Sequence, residues 1–133
     1  MFFSADESFV ILYHADMKAA RNFYENLLKL QLREVTYEWF VGYWISNKHE
    51  MTLCISSDPE ENSRWGADGR GVVIDFMVAD VDKHFETLKA RGVCFTEPPI
   101  DYKWGLRTAS FKDPAGYTLT ISSYKKDTGS QNG

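Results

Sequence analysis

An internal repeat is the feature of this sequence that most restricts its possible folds. Residues 52–57 read TLCISS and residues 118–123 read TLTISS, so five of six positions are identical. Earlier in each half, an apolar run at residues 9–14 or 72–78 leads into Ala-Asp and then into apolar residues at helical spacing. Each half is therefore predicted to contain one helix and about four strands, in the order β-α-β-β-β.

The length of the chain favours a single domain built from both halves. At 133 residues it is long enough for one compact domain and too short for two ordinary ones. We predict one domain at residues 1–124, with modules at 7–57 and 71–123 joined by a polar, glycine-containing linker at 58–70. Residues 125–133 contain no apolar side chain and are predicted to form a disordered tail.

Charge and hydropathy exclude several classes of partner. The formal net charge is -4, and there is no basic cluster beyond Lys125-Lys126, so nucleic acid is not an expected partner. No apolar stretch is long enough to span a bilayer, and the first residues do not resemble a signal peptide. Cys54 and Cys94 lie in apolar runs without CxxC spacing, which favours reduced, buried thiols, although a disulfide between them stays possible. These features predict a cytoplasmic protein that does not bind membranes.

Strand alternation predicts which side chains share a face. One helix can cover only one face of each sheet, so the two uncovered faces are expected to enclose a cleft. Successive side chains on a strand point to opposite faces. When Asp16 is aligned with Asp80, the set predicted to face the helix is Val10, Leu12 and His14 with Ile74, Phe76 and Val78, and the set predicted to face the cleft is Phe9, Ile11 and Tyr13 with Val73, Asp75 and Met77.

Several short motifs make the sequence resemble the vicinal oxygen chelate superfamily, which includes glyoxalase I, bleomycin resistance proteins and extradiol dioxygenases. The resemblance implies an α+β fold in which two β-α-β-β-β modules form curved mixed sheets around a cleft. It also implies a homodimer, with the modules pairing within a chain or exchanging between chains. The motifs are DMKAARNFY at residues 16–24, VADVD at 78–82, Trp104-Gly105 and DPAGY at 113–117.

The resemblance also makes a prediction about metal binding. Metal-dependent members of the superfamily take one ligand, commonly His or Glu, from each of four strands. The corresponding positions here are Phe9, Val73, Thr120 and Cys54. These side chains do not supply the nitrogen and anionic oxygen donors that such a site needs, and moving each strand by one residue brings no better set. We therefore predict no metal and no other cofactor.

Asp75 is the most informative polar residue among the predicted cleft positions. A carboxylate there must be solvated, paired or functional. One interpretation is that Asp75 pairs with Arg107 or is simply solvated, the other is that it contacts a ligand, and we weigh the two equally. Trp39 and Trp104 are candidates for a ring-lined pocket wall. The full set of predicted ligand-binding residues is Phe9, Tyr13, Trp39, Cys54, Asp75, Trp104, Arg107 and Thr120.

Other reactive residue types receive structural interpretations. His14, His49 and His84 are predicted to lie on three different faces and to have solvent-exposed or capping roles. No histidine is expected near Cys54 to generate a thiolate, so Cys54 is interpreted as a packing residue. No catalytic residue is assigned.

Three functions follow as hypotheses. The first is a metal-independent binding protein of the bleomycin-resistance-like branch, which holds a small organic ligand with an aromatic or cationic part. The second is a metal-dependent lyase, isomerase or dioxygenase of the glyoxalase type, which stoichiometric metal would favour. The third is a non-enzymatic dimer whose cleft is filled by its own side chains, such as Phe9, Tyr13 and Met77.

Overall fold

The computed structural model describes residues 9–49 and 51–125. The first helix, α1 (Met17–Arg21), continues into a π-helical segment, Asn22–Leu27. The helices are α1 (Met17–Arg21), α2 (Pro59–Trp65) and α3 (Val81–Ala90), and the strands are β1 (Phe9–Tyr13), β2 (Gln31–Tyr37), β3 (Phe40–Trp44), β4 (Thr52–Ser56), β5 (Val73–Met77), β6 (Phe95–Asp101), β7 (Leu106–Lys112) and β8 (Thr118–Tyr124).

The strands form two mixed sheets of the same design. The first has the order β1-β4-β3-β2 and the second β5-β8-β7-β6. In each sheet the first strand pairs in parallel with the last, and the remaining pairs are antiparallel. Phe9 lies opposite Thr52, and Val73 lies opposite Thr118, so both sheets have the same register. The predicted α+β fold of two β-α-β-β-β modules is confirmed.

Equivalent aspartates begin the equivalent helices. The Asp16 side chain accepts a hydrogen bond from the Ala19 amide at 3.0 Å, and Asp80 accepts one from the Lys83 amide at 3.2 Å. Each carboxylate satisfies an amide that has no partner within the first helical turn. These caps fix the point at which the chain leaves β1 or β5 and turns back over its own sheet.

The chain divides into two compact units that are not contiguous in sequence. The first contains the described residues up to Gly71 together with Asp113–Tyr117, and the second contains Val72–Lys112 and the described residues from Thr118 onward. The loop between β7 and β8 therefore belongs to the first unit. The predicted second module, 71–123, included this loop. The structure places it in the first unit, where Asp113 contacts His14 and Tyr24.

Each unit has its own apolar core beneath its helix. In the second unit, the Phe95 ring packs between those of Phe85 and Phe111, with centroid distances of 4.6 and 5.0 Å. These rings bury the helix-facing side of the second sheet, which removes apolar surface from water. In the first unit the buried apolar residues include Leu12, Ala20, Phe23, Tyr24, Val41, Tyr43, Leu53 and Ile55.

The predicted linker contains a helix rather than a loop. Asp58 accepts a hydrogen bond from the Glu61 amide at 3.0 Å, and Pro59 occupies the first turn of α2. An aspartate cap followed by proline and two glutamates is a strong helix-start signal, which the polar composition of residues 58–70 obscured.

The sequence predicts one strand at residues 37–45 and a strand break at Glu97-Pro98-Pro99, and both predictions need correction. The segment 37–45 is not one strand, because the chain turns at Glu38 and Trp39 between β2 and β3. The segment Glu97-Pro98-Pro99 does not break β6, which runs through it with an irregular register between Glu97 and Ile100. The reason is that β6 lies at the edge of its sheet, where missing amide donors are tolerated.

Two further predictions concern the C-terminal tail and membrane-spanning helices. Lys125 is the last described residue, so the rest of the predicted tail lies outside the described residues. Within the described ranges, no helix combines the length and hydropathy that a bilayer crossing requires.

Candidate functional site

The second sheet carries a group of polar side chains on the face opposite α3. Asp75 on β5 lies beside Thr120 on β8, which pairs in turn with Ser110 on β7. Ser122 on β8 lies opposite Thr108 on β7. Because alternate residues share a face, these side chains point to one side of the sheet. We call this group, Asp75, Thr108, Ser110, Thr120 and Ser122, the polar face.

The Asp75 carboxylate is held by one of its two oxygens. The hydroxyls of Thr120 and Ser122 both donate to Oδ1 of Asp75, each at 2.8 Å. Among the described residues, none donates a hydrogen bond to Oδ2. Asp75 is exposed, whereas Thr120 and Ser122 are buried. The carboxylate is thus oriented by the sheet and open to solvent on one side.

Apolar side chains flank this carboxylate along its own strand. Val73 and Met77, two residues before and after Asp75, are 62% and 48% exposed. Exposed apolar groups beside an oriented charge are typical of a binding surface rather than of a solvated face. The arrangement is able to bind a positive group that is joined to an apolar one.

The pairing of Asp75 with Arg107, one of the alternatives predicted for this carboxylate, is wrong. The Arg107 guanidinium donates to Asp82 at 2.9 and 3.0 Å and to Asp101 at 3.2 Å. Asp82 belongs to α3, so Arg107 lies on the helix side of the sheet, opposite the polar face. The hydrogen bonds to Asp82 and Asp101 raise the pKa of Arg107 above its ordinary value. Arg107 is one residue out of phase with Thr108, which is enough to reverse its face.

On the first sheet, the predicted face residues Phe9, Tyr13 and Cys54 share the side opposite α1, as the register of β1 and β4 requires. Cys54 is only 3% exposed, and a β-carbon added at Gly42 would lie 3.5 Å from its sulfur. Burial raises the pKa of the Cys54 thiol, with a smaller opposing effect from Arg33. A protonated, enclosed thiol fits the packing role predicted for it.

Cys94 differs from its prediction. Among the described residues, Cys54 and Cys94 are both free thiols, but Cys94 is exposed rather than buried. It lies immediately before β6.

Each unit also presents a stacked pair of aromatic rings at a hairpin turn. Tyr37 and Trp39, between β2 and β3, stack at 4.8 Å with their planes 7° apart. Tyr102 and Trp104, between β6 and β7, stack at 4.7 Å with an angle of 16°. Trp39 and Trp104 are 39% and 63% exposed. We identified the tryptophans from the sequence but missed their partners, although both halves contain the motif Tyr-x-Trp.

The positions that correspond to the metal ligands of metal-dependent relatives do not fit a metal. Phe9 and Cys54 lie in the first unit, and Val73 and Thr120 in the second. Two of these four side chains have no donor atom, the threonine hydroxyl is a weak neutral donor, and the Cys54 thiol is protonated. Over residues 9–49 and 51–125, no three His, Cys, Asp or Glu side chains come together in a group able to hold a metal ion.

His14 forms part of a buried network that the sequence interpretation missed. It is 1% exposed, and its Nε2 lies 2.9 Å from Oδ2 of Asp113, although without the alignment of a hydrogen bond. The Tyr24 hydroxyl donates to the same oxygen at 2.6 Å. Oδ1 of Asp113 accepts hydrogen bonds from the amides of Ala115 and Tyr117. The predicted solvent or capping role of His14 is wrong, because the imidazole is buried beside Asp113, a residue that is distant in sequence.

The other two histidines have local contacts. The His49 ring stacks on Trp44 at 4.9 Å, and its Nε2 lies 2.9 Å from Gln31 Oε1. His84 Nδ1 lies 3.0 Å from the carbonyl oxygen of Asp80 at the start of α3. The three imidazoles therefore occupy separate environments.

Comparisons with known proteins agree with this fold. The family model described as the Glyoxalase/Bleomycin resistance protein/Dioxygenase superfamily matches residues 8–121. A glyoxalase/bleomycin resistance protein/dioxygenase from Nocardioides superposes with a TM-score of 0.76 at 22% identity, over 95% of this chain and 87% of that one. A lactoylglutathione lyase from Agrobacterium tumefaciens gives 0.71 at 24% identity, over 90% and 93%.

A glyoxalase/bleomycin resistance protein from Catenulispora acidiphila gives a TM-score of 0.69 at 21% identity, over 90% of this chain and 98% of that one. No match is found among curated protein sequences. At these identities the solved structures establish the shared fold, while the family model covers most of the chain. The chain belongs to the glyoxalase/bleomycin resistance protein/dioxygenase superfamily.

Proposed function

We propose that this protein is a metal-independent binding protein for a small organic ligand that has a cationic group and an aromatic part. The observation that carries the proposal is the exposed carboxylate of Asp75, which Thr120 and Ser122 orient from one side. An ion held in a fixed geometry loses little side-chain entropy when a ligand binds, which favours affinity.

The surroundings of Asp75 support an apolar contribution to binding. Val73 and Met77 offer exposed apolar surface on either side of the charge. Burying such surface contributes about 25 cal/mol per Å². The methionine thioether also makes favourable contacts with aromatic rings, of roughly 0.3–1.5 kcal/mol.

The stacked ring pairs supply the second element of the proposal. Trp39 and Trp104 each expose indole surface that is already braced by a tyrosine. A flat, pre-stacked ring binds planar or cationic groups without first losing rotamer freedom. The Tyr102–Trp104 pair, which belongs to the same unit as Asp75, is proposed as the platform for the aromatic part of the ligand.

The donor chemistry argues against the metal-dependent alternative. The superfamily positions hold Phe9, Val73, Thr120 and Cys54, so they do not supply the charge that a divalent cation needs. We propose no catalytic residue. The expected homodimer and cytoplasmic location derive from the sequence and its resemblance, and they stay part of this proposal.

Calorimetric titration with the 1-naphthylmethylammonium ion tests the proposal. With EDTA present, the wild-type protein is expected to bind the probe saturably. The variant Asp75→Asn is expected to bind about 10- to 100-fold more weakly, because a charge-assisted hydrogen bond contributes about 1.5–3 kcal/mol. The control variant Glu86→Gln removes one exposed carboxylate from α3 and is expected to bind as the wild type does.

Two results would contradict the proposal. One is the absence of binding by this probe and by a varied panel of aromatic cations in a thermal-shift assay. The other is a loss of binding in EDTA that added nickel, zinc or manganese restores.

A further inference from the structure

The hydroxyl protons on the polar face determine which cations Asp75 can recognise. We propose that the site selects protonated primary, secondary and tertiary amines and discriminates against quaternary ammonium and guanidinium groups. This inference rests on the proposed binding function and specifies its ligand class.

The hydroxyl protons near Asp75 are all used in hydrogen bonds within the sheet. Thr120 and Ser122 each have one, and both donate it to Oδ1 of Asp75. Thr108 and Ser122 lie 2.8 Å apart, oxygen to oxygen. Because the Ser122 proton is committed to Asp75, Thr108 must be the donor in that contact. All three protons therefore point along the sheet toward the carboxylate.

The polar face offers a ligand hydrogen-bond acceptors but no free hydroxyl donors at Asp75, Thr108, Thr120 and Ser122. With these protons committed, Asp75, Thr108, Thr120 and Ser122 offer only lone pairs, and the most accessible of them belong to Oδ2 of Asp75. A ligand must then bring its own hydrogen-bond donor. Protonated amines carry an N–H donor beside their positive charge, and neutral or anionic acceptors do not.

Guanidinium groups are disfavoured because Oδ1 of Asp75 already accepts two hydrogen bonds. A guanidinium binds a carboxylate best through two parallel N–H bonds, one to each oxygen. Both lone pairs of Oδ1 already accept hydroxyl protons, so only Oδ2 can take part. A single contact suits the compact charge of an ammonium group better than the planar fork of a guanidinium.

Quaternary ammonium groups are disfavoured because they have no N–H. Proteins that bind them surround the charge with aromatic rings. On the face of the sheet that carries Asp75, its nearest strand positions are Val73, Met77 and Thr120, and none of these is aromatic, while the adjacent Phe76 points to the other face. A methylated nitrogen would retain its charge at this position but lose its hydrogen bond.

A matched series of benzyl compounds tests the inference. The probes are N,N-dimethylbenzylammonium, N,N,N-trimethylbenzylammonium, benzylguanidinium and neutral benzyl alcohol, each titrated by calorimetry. The dimethyl probe is expected to bind at least about tenfold more tightly than each of the others, because only it combines the charge with an N–H donor in the right geometry. Amide chemical shifts of Asp75 and Thr120 report whether the probe occupies this site.

Two variants sharpen the comparison. In Asp75→Asn the preference for the dimethyl over the trimethyl probe is expected to disappear, whereas Glu86→Gln retains it. In the double variant Thr120→Val with Ser122→Ala, both lone pairs of Oδ1 become free. That variant is expected to bind benzylguanidinium at least several-fold more tightly than the wild type does, with an unchanged circular dichroism spectrum as the check on folding.

The outcomes separate this inference from the proposed function. Equal binding of the dimethyl and trimethyl probes to the wild type would overturn the selectivity and leave the binding function standing. An unchanged affinity of the folded double variant for benzylguanidinium would overturn the account of Oδ1. No binding of any probe would overturn the selectivity and the binding function together.

Discussion

The Nε2 atom of His14, at the end of β1, lies 2.9 Å from Oδ2 of Asp113, which is 99 residues later in the chain by residue number. Both side chains are almost fully buried. The same carboxylate accepts hydrogen bonds from the Tyr24 hydroxyl and from two amides of its own loop. Asp113 therefore fastens the β7–β8 loop into the first unit, where most of its contacts lie.

Replacement of Asp113 by alanine is expected to lower the free energy of unfolding by about 3–5 kcal/mol. The change removes the acceptor of the buried Tyr24 hydroxyl and of two loop amides, and it removes the carboxylate beside the buried His14 ring. Breaking a buried polar cluster from one side costs energy of this order. Urea denaturation of the purified variant measures the loss.

Tyr24→Phe is the matched comparison for this experiment. It removes one donor but leaves Asp113 with its loop amides and His14, so we expect a loss of about 1–2 kcal/mol. A larger effect for Tyr24→Phe than for Asp113→Ala would contradict the central position of Asp113.

Gly69 should not tolerate a side chain. A β-carbon at this position would lie 2.4 Å from the carbonyl carbon of Gly116 and 2.6 Å from the Tyr117 nitrogen, and the backbone φ is +76°. Gly69→Ala therefore combines a left-handed strain of about 1–2 kcal/mol with an overlap that costs about 1–3 kcal/mol more.

Gly71→Ala separates these two effects. Gly71 has a similar φ of +81°, but a β-carbon there would meet nothing within 4 Å. We expect it to lose only the backbone part, about 1–2 kcal/mol. Thermal unfolding of both variants, followed by circular dichroism, makes the comparison, and equal losses would show that the chain relaxes around residue 69.

The two cysteines should differ strongly in their reactivity. Cys94 is exposed, whereas burial protects Cys54 and raises its pKa. Since the thiolate is the reactive species, the native protein is expected to react quickly at one thiol and the unfolded protein at two. Labelling with a chromogenic disulfide measures both rates. In Cys94→Ser the fast phase should vanish, and a fast phase that persists would place Cys54 within reach of solvent.

The Glu25 carboxylate should make stability sensitive to acid. The hydrogen bond from Arg21 is the main cause that holds the pKa of Glu25 below its ordinary value; burial opposes it, and the hydrogen bond from Tyr43 lowers the pKa further. A lowered pKa in the folded state means that this stabilisation is present above the ordinary value of 4.5 and is lost as the pH falls through the folded value. Urea denaturation of Glu25→Gln below about pH 5 should therefore show a shallower fall in stability than the wild type. An equal slope would contradict this role.

The repeat made much of the fold predictable from the sequence. The alignment of Asp16 with Asp80 correctly predicted where two helices follow β1 and β5 and how side chains alternate along these strands, because strand and helix periods are local properties. Asp75 was identified for the same reason. These signals needed no knowledge of distant contacts.

The errors concern contacts between residues far apart in sequence. Nothing near His14 indicates that Asp113 will lie beside it, and nothing near Arg107 indicates that Asp82 will compete for its guanidinium. Such pairs depend on how the helix and the loops pack, which periodicity does not encode. The hydroxyl donors to Asp75 likewise became visible only when the pairing of β5 with β8 was known.

Elemental analysis of protein purified without chelators tests most directly whether this superfamily member works without a metal. We predict far less than one equivalent of nickel, zinc, iron or manganese per chain, together with undiminished binding of the 1-naphthylmethylammonium probe by that same preparation. A full equivalent of any of these metals, removed by EDTA along with probe binding, would contradict the account.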